Sequence, residues 1–292
     1  GSAGGKGQGI FISHMCSEVL NHIDTSPSDT AWVVSRYLED PLLLDGRKFD
    51  VRCWVLLDAQ YRVFAFEDGV ARTTSYQYDL NDLSNPLQHL TNHCIQATTA
   101  EYQQFEEGNE LSFTQLDAYI SKSSSGSKGW FNDIVPQMNE IINLSFDAAR
   151  EKLAPVHTDV NQESLSQFQL FGFDFLVDSQ YKVWLLEING SPASRELLKS
   201  HMSLSLIDTA ILSHFREFQK HENGSPMESD TAEGGKWLYK STASEVENED
   251  GEGEGGGRKR EGQGGDGGGG LRGLTNSGEQ TACRLCFVKI SR

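Results

Sequence analysis

Long apolar runs are missing from this 292-residue chain: none approaches the roughly 20 residues of a membrane span, and no basic-then-apolar leader opens it. A soluble, cytoplasmic protein with no membrane partner is the expectation. Cysteine is scarce too. The five thiols, Cys16, Cys53, Cys94, Cys283 and Cys286, are odd in number and scattered, which fits reduced side chains better than a disulfide framework. Cys283 and Cys286 have CxxC spacing, but no second ligand pair accompanies them, so no zinc or redox centre is expected. Cations are in short supply: 25 Lys and Arg stand against 42 Asp and Glu, a net charge of -17. Nucleic acid is thereby excluded as a partner, because phosphate-backbone binding needs a broad cationic surface. Counting to residue 218 gives 15 basic and 29 acidic side chains, so the acidity belongs to the core region rather than to the tail.

A hydrophobic fraction of 37% can supply a core for only part of the chain. Residues 1–218 carry the periodic patterns, and residues 219–292 read as a tail. Within it, residues 251–270 hold twelve glycines among Glu, Asp, Arg and Lys, too little apolar area to offset the entropy of ordering, so disorder is expected. Strand character returns over 286–290, which reads as an edge strand docking back. At the other end, the glycine-rich stretch Gly1 to Gly9 precedes the strand-like Ile10 to Ser13. A phosphate-binding loop needs a strand before it as well. The chain therefore reads as the carboxyl-terminal part of a longer protein whose amino-terminal domain and first strand are absent.

Helical spacing covers residues 14–24, a strand covers 31–38 and Pro41 stops it. Strands 47–57 and 61–66 form a hairpin, after which Gly69 turns the chain into Val70, Ala71 and Arg72. A helix follows over 130–149, with Pro136 in its first turn or at a kink. Asp178 and Ser179 punctuate a second hairpin, Pro192 opens another helix, and Leu204, Ile207, Ile211 and Phe215 form the apolar stripe of a last one.

The chemistry lies in two of these stretches. In RKFDVRCWVLL, period-2 alternation turns Phe49, Val51, Cys53 and Val55 towards a core and Lys48, Asp50 and Arg52 towards the opposite side. In FGFDFLVDSQYKVWLLEING, Asp174 lies on one strand of a hairpin, and Glu187 and Asn189 share a face of the other. Three oxygen donors are thus clustered. Mg2+ favours one or two carboxylates with phosphate oxygens and water, and a neutral amide adds a donor without further repelling the phosphates. Solvent-facing strand charges are the bland alternative. It is disfavoured by Phe171, Phe173, Phe175, Trp184, Leu185, Leu186 and Ile188, which make both strands strongly apolar. Lys6, inside a glycine loop whose N-H groups can approach phosphate, adds a cation. A protein-kinase site is excluded by the absence of an HRD-type loop, and a P-loop by the absence of GKS or GKT. His93 and Cys94 are adjacent; on a strand they would face opposite ways, so packing or cleft lining is favoured over a ligand or nucleophile pair.

The order of these parts, a glycine loop with Lys, a strand ending Arg36-Tyr37-Leu38-Glu39, a basic strand, then Asp and Glu-x-Asn, resembles the ATP-grasp fold, an α+β class with nucleotide between two lobes. RKFDVRCWVL, GVARTTSYQY, HLTNHCIQ, FEEGNE, QLFGFDFLVD and VWLLEINGSPA are similar, in that order over 1–218, to the tubulin-tyrosine ligase family. His93 to Gln96 and Asn189 to Ala193 resemble its tyrosine-adding branch more than its glutamylases or glycylases. The resemblance implies ATP and Mg2+ as cofactors, with K+ as a further candidate ion. It also implies the tail of α-tubulin and free tyrosine as partners, and a place on the cytoskeleton. Lys6 and Lys48 would then contact phosphates, the backbone at Arg36, Tyr37 and Leu38 would hold adenine, and Asp50, Thr91 and Asn92 would line the nucleotide cleft. Asp174, Glu187 and Asn189 would hold magnesium, and Arg52 and Arg72 would reach the substrate carboxylate and the transferred phosphoryl group. Ser35-Arg36 replaces the usual Gln-Lys, which removes a base-reading side chain and keeps the charge. Glycine or glutamate addition, or an inactive tubulin-binding fragment, are the alternative outcomes.

Overall fold

Alternation in a single strand sets the plan of the molecule. A computed structural model describes residues 7, 9–27, 31–58, 61–153, 168–193, 202–212, 237–241 and 285–290. Strand β4 (Arg47–Asp58) lies at the centre of a seven-stranded antiparallel sheet, between β5 (Val63–Gln77) and β7 (Phe168–Val177). β6 (Glu110–Ser112) borders β5, β8 (Val183–Asn189) borders β7, β3 (Leu43–Leu44) pairs with β4, and β9 (Trp237–Ser241) pairs with β5. A smaller antiparallel sheet is ordered β1 (Phe11–Ser13), β10 (Leu285–Ile290), β2 (Ala31–Arg36). The class is α+β, as expected.

Phe49, Val51, Cys53 and Val55 are buried against helices α4 (Phe113–Ser123) and α5 (Val135–Leu153), in one cluster with Leu116, Ile120, Trp130, Ile142 and Phe146. Burial of each large apolar side chain contributes about 1.5–3 kcal/mol. The other face of β4 changes character along its length. Lys48, Asp50 and Arg52 occupy its first half, whereas Trp54 and Leu56 join Phe66, Val70, Met202, Ala210 and Trp237 in a second cluster. Local signals fix the helices that cover the first face. Ser112 caps α4 through a reciprocal capping box with Gln115. One π-helical turn, Trp130–Ile134, leads into α5, with Pro136 as the second residue of that helix.

Several expectations are corrected. Gly69 does not turn the chain: β5 passes straight through it, with a register shift opposite Cys53 and Val55. Glycine suits that position because a Cβ would press on the Phe113 ring and fall 2.6 Å from the Arg52 carbonyl oxygen. His93 and Cys94 lie on a short helix, α3 (His93–Gln96), not on a strand. β10 sits between β1 and β2 rather than at an edge. β8 is apolar yet exposed, because it is a sheet edge: Trp184, Leu186 and Ile188 remain 43%, 50% and 43% accessible. Apolar composition marked burial for β7 and not for β8. In the helical segment 202–212, Met202 and Ala210 are buried while Leu204 and Ile207 are exposed, so the apolar stripe is rotated from the expected one. Lys6, the helix expected from Pro192, Phe215 and the glycine-rich stretch 251–270 lie outside the described residues.

Candidate functional site

Register, rather than sequence proximity, assembles the site. β4 pairs Asp50 with Arg72 on β5 and Arg52 with Asp174 on β7, and β7 pairs Asp174 with Glu187 on β8. Directly opposed strand residues project to the same face, so charges from four strands meet on one surface. Arg52 grips Asp174 with both arms of its guanidinium, Nε to Oδ1 and Nη2 to Oδ2, each at 2.6 Å. Arg72 holds Asp50 in the same bidentate manner, with Nε 2.8 Å from Oδ1, and its Nη2 also donates to Asp174 Oδ2 at 2.9 Å. The result is a chain of alternating sign, Asp50, Arg72, Asp174, Arg52. All four side chains are at most 12% exposed.

Burial opposes the Arg72 charge, but Asp50 and Asp174 outweigh it and raise the guanidinium above its already high pKa. Burial likewise works against the Asp174 carboxylate, yet the hydrogen bonds from Arg52 and the charge of Arg72 bring its pKa below the ordinary value. Glu187 behaves in the opposite way. Burial raises its pKa, an N-H of the Asn189 amide at 3.0 Å lowers it, and the facing Asp174 carboxylate raises it again, for a net upward shift. Two carboxylates that oppose each other across a hairpin, with an amide beside them, are the donor set that a hard divalent cation relieves. Asp174, Glu187 and Asn189 are the residues that would hold Mg2+, a cation that prefers few carboxylates and takes its other ligands from phosphate and water. Among the described residues no group of three or more His, Cys, Asp or Glu side chains forms a richer centre.

Lys48 leaves the same face of β4 one pleat earlier. Its ammonium donates to the Tyr37 hydroxyl at 3.0 Å and lies 4.5 Å from the centre of that ring. Arg36 ends β2 and Tyr37 and Leu38 follow it directly, while Thr91 and Asn92 lie between α2 (Pro86–His89) and α3. Gly7, at φ +76°, approaches Asn92 so closely that a Cβ would lie 2.9 Å from Oδ1. The positive φ favours glycine where the loop meets this wall.

One cavity of about 1600 Å³ is bordered by every site residue read from the sequence apart from Lys6: Arg36, Tyr37, Leu38, Lys48, Asp50, Arg52, Arg72, Thr91, Asn92, Asp174, Glu187 and Asn189. His93 and Cys94 also line it, in keeping with the cleft-lining reading although they are helical. Sequence reasoning assigned no role to Glu110, which β6 sets opposite Arg72, or to Tyr78 and His89 beside Lys48. For His89 a signal existed, its place at the head of His89-Leu90-Thr91-Asn92. For Tyr78 and Glu110 it was their place at the ends of GVARTTSYQY and FEEGNE.

Comparison with known proteins matches residues 1–223 to the Tubulin-tyrosine ligase family. Relatives include a protein polyglycylase TTLL10 of Macaca fascicularis, 35% identical over 77% of this chain and 39% of the relative. The inactive polyglycylase TTLL10 of Homo sapiens is 34% identical, over 77% of this chain and 36% of its own length. Tubulin glycylase 3B of Tetrahymena thermophila is 25% identical over 84% of this chain and 20% of the relative. The chain thus spans less than half the length of these relatives. Their names carry glycine, not the tyrosine that His93 to Gln96 and Asn189 to Ala193 suggest. With three quarters of its length matched and an α+β, ATP-grasp-like architecture, the chain belongs to the tubulin-tyrosine ligase family.

Proposed function

We propose that this chain is an ATP- and Mg2+-dependent amino-acid ligase that joins glycine to a glutamate carboxylate on a tubulin tail through an acyl phosphate. The observation that carries the reading is the buried Asp50, Arg72, Asp174, Arg52 chain placed beside Glu187 and Asn189 in the cavity that Lys48 enters. The names of the glycylase relatives favour glycine over tyrosine as the donor.

Bringing a carboxylate to a γ-phosphate is opposed by Coulomb repulsion, and fixed cations offset it without reorganising at the moment of reaction. Arg52 and Arg72 are already oriented by their carboxylate partners and border the cavity, so their remaining N-H groups are preorganised for a substrate carboxylate and the transferred phosphoryl oxygens. Lys48 lies nearer residues 36–38, whose backbone would hold the adenine, and serves phosphate. When bound, Mg2+ supplies the charge that lets Asp174 and Glu187 sit against phosphate. No enzyme nucleophile is needed: the substrate carboxylate attacks the γ-phosphorus as the bond to ADP breaks, and the amine of the incoming amino acid then displaces phosphate from the acyl carbon, its proton passing to the departing phosphate or to solvent. The excess of acid over the whole chain does not forbid an acidic tail, since exposed charges beyond about 10 Å are largely screened at moderate salt. Such a substrate would place the chain on the cytoskeleton.

The test is incorporation of labelled glycine, glutamate and tyrosine, separately, into tubulin with Mg2+ and ATP. Glycine incorporation supports the reading, and glutamate or tyrosine alone would reassign the donor. Nucleotide binding without any transfer would favour an inactive chain, as the name of the human relative describes that protein.

A further inference from the structure

A hydrogen-bonded relay behind Lys48 is not accounted for by the reaction as described. The Lys48 ammonium donates to the Tyr37 oxygen at 3.0 Å, the Tyr37 hydroxyl lies 2.9 Å from His89 Nδ1, and His89 Nε2 lies 2.8 Å from the Asp82 carbonyl oxygen. Lys48, Tyr37 and His89 are at most 5% exposed. The two ends, with a neutral imidazole between them, set the direction of every bond. An ammonium only donates and a carbonyl only accepts, so His89 carries its proton on Nε2. Its Nδ1 then accepts from the Tyr37 O-H, which turns the remaining lone pairs of that oxygen towards Lys48. One tautomer of a neutral imidazole satisfies the whole relay.

The surroundings hold that arrangement from several elements. His89 ends α2 and stands edge-on between two tyrosine rings, Tyr37 at 5.9 Å and Tyr78 at 5.4 Å. The Tyr78 hydroxyl in turn donates to the Glu39 carbonyl oxygen at 2.9 Å, tying down the strand exit that contains Tyr37. The segment proposed to hold adenine and the lysine proposed to hold phosphate are therefore joined through one hydroxyl. A lysine has a long, freely rotating stem and binds phosphate well only when its ammonium is already aimed.

We propose that His89 is a positioning residue for nucleotide binding, aiming the Lys48 ammonium into the cleft by orienting the Tyr37 hydroxyl. The proposal rests on the nucleotide reading above. His89 borders the cavity together with Thr91 and Asn92, and the proposal gives it a role exerted through the Tyr37 hydroxyl.

The test is calorimetric binding of the β,γ-imido analogue of ATP with Mg2+ to the full chain, with a melting curve for each variant. Tyr37→Phe keeps both rings and removes the hydroxyl, and His89→Phe keeps the stacking and removes the acceptor. Each should weaken binding about tenfold, the usual scale for losing a hydrogen bond to a charged group. Because both act through one bond, the double variant should bind no more weakly than either single one. His89→Asn, which restores an acceptor near the Nδ1 position, should return binding to within about threefold of wild type. Binding by Tyr37→Phe within twofold of wild type would overturn the proposal, as would losses that multiply to about a hundredfold in the double variant. If His89→Phe does not fold, Tyr37→Phe alone still decides. Wild-type chain that binds no nucleotide would instead overturn the nucleotide reading itself.

Discussion

The centre and the edge of the large sheet hold the two halves of the site by opposite means. At the centre, Asp50, Arg52, Arg72 and Asp174 satisfy one another, and the ionised forms of Arg72 and Asp174 are favoured. At the edge, Glu187 faces Asp174 from an exposed strand and its charged form is disfavoured. The first arrangement is complete in the protein alone and fixes cation positions; the second gains from a bound cation. Stability and catalytic function should therefore separate along the sheet, and variants at the two positions should report the separation.

The largest effect is expected from Asp174→Asn. It turns an amide towards two buried guanidinium groups that have lost their shared partner. Breaking a buried ion pair on one side costs about 3–5 kcal/mol, so the melting temperature should fall steeply and ligation should vanish. A variant as stable as wild type would remove the preorganised centre from the account. The same carboxylate sets an acid limit. Its folded-state pKa is lowered, so its contribution is fully present above the ordinary carboxylate value of about 3.9 and is lost as pH falls through the lower folded value. In Asp174→Asn that part of the acid-unfolding profile should flatten.

Glu187→Gln should lose ligation as completely while keeping or gaining stability. The raised pKa means that the charged side chain works against the fold at neutral pH: its contribution is present below the ordinary value near 4.3 and is lost as pH rises through the folded value. Mg2+ with the ATP analogue should raise the melting temperature of wild type and do so much less for this variant. An equal rise in both would remove Glu187 from the metal set.

How much of this contrast was legible beforehand follows from where the information resides. Alternation along RKFDVRCWVLL is local, and it placed Lys48, Asp50 and Arg52 on one face correctly. The hairpin was legible for the same reason, since a turn at Asp178 fixes the register from Val177 with Val183 to Phe175 with Leu185, but the register shift that then brings Asp174 opposite Glu187 was not. Pairings between distant strands were not. Nothing near Arg72 announces that it spans Asp50 and Asp174, because that depends on three strands meeting in register. Gly69 was misread since the cause of its glycine is the distant Phe113 ring, and β8 was read as buried because composition does not tell a central strand from an edge. The relay through Tyr37 and His89 joins positions 52 residues apart.

A milder break of the centre is Arg72→Lys, which keeps the charge and removes the fork. One ammonium cannot reproduce the bidentate grip on Asp50 together with the contact to Asp174. Ligation should fall about 10- to 100-fold, chiefly through poorer use of the tubulin tail, with nucleotide affinity changed less than threefold. A larger loss in nucleotide affinity than in use of the tail would move Arg72 from the substrate end to the phosphate end.

The smallest effect is expected at the wall away from both regions. Cys94 lines the cavity from α3, is exposed, and sits next to His93 in an arrangement that invites a nucleophile assignment. The acyl-phosphate route needs no enzyme thiol, and the His93 Nδ1 is 2.9 Å from the Tyr102 hydroxyl, an interaction that draws the ring to a different partner. Cys94→Ser should therefore retain ligation within about twofold, with an unchanged melting temperature. A loss approaching that of Glu187→Gln would put a covalent step on α3 and shift the chemistry away from the sheet, whose centre and edge would then only bind the nucleotide.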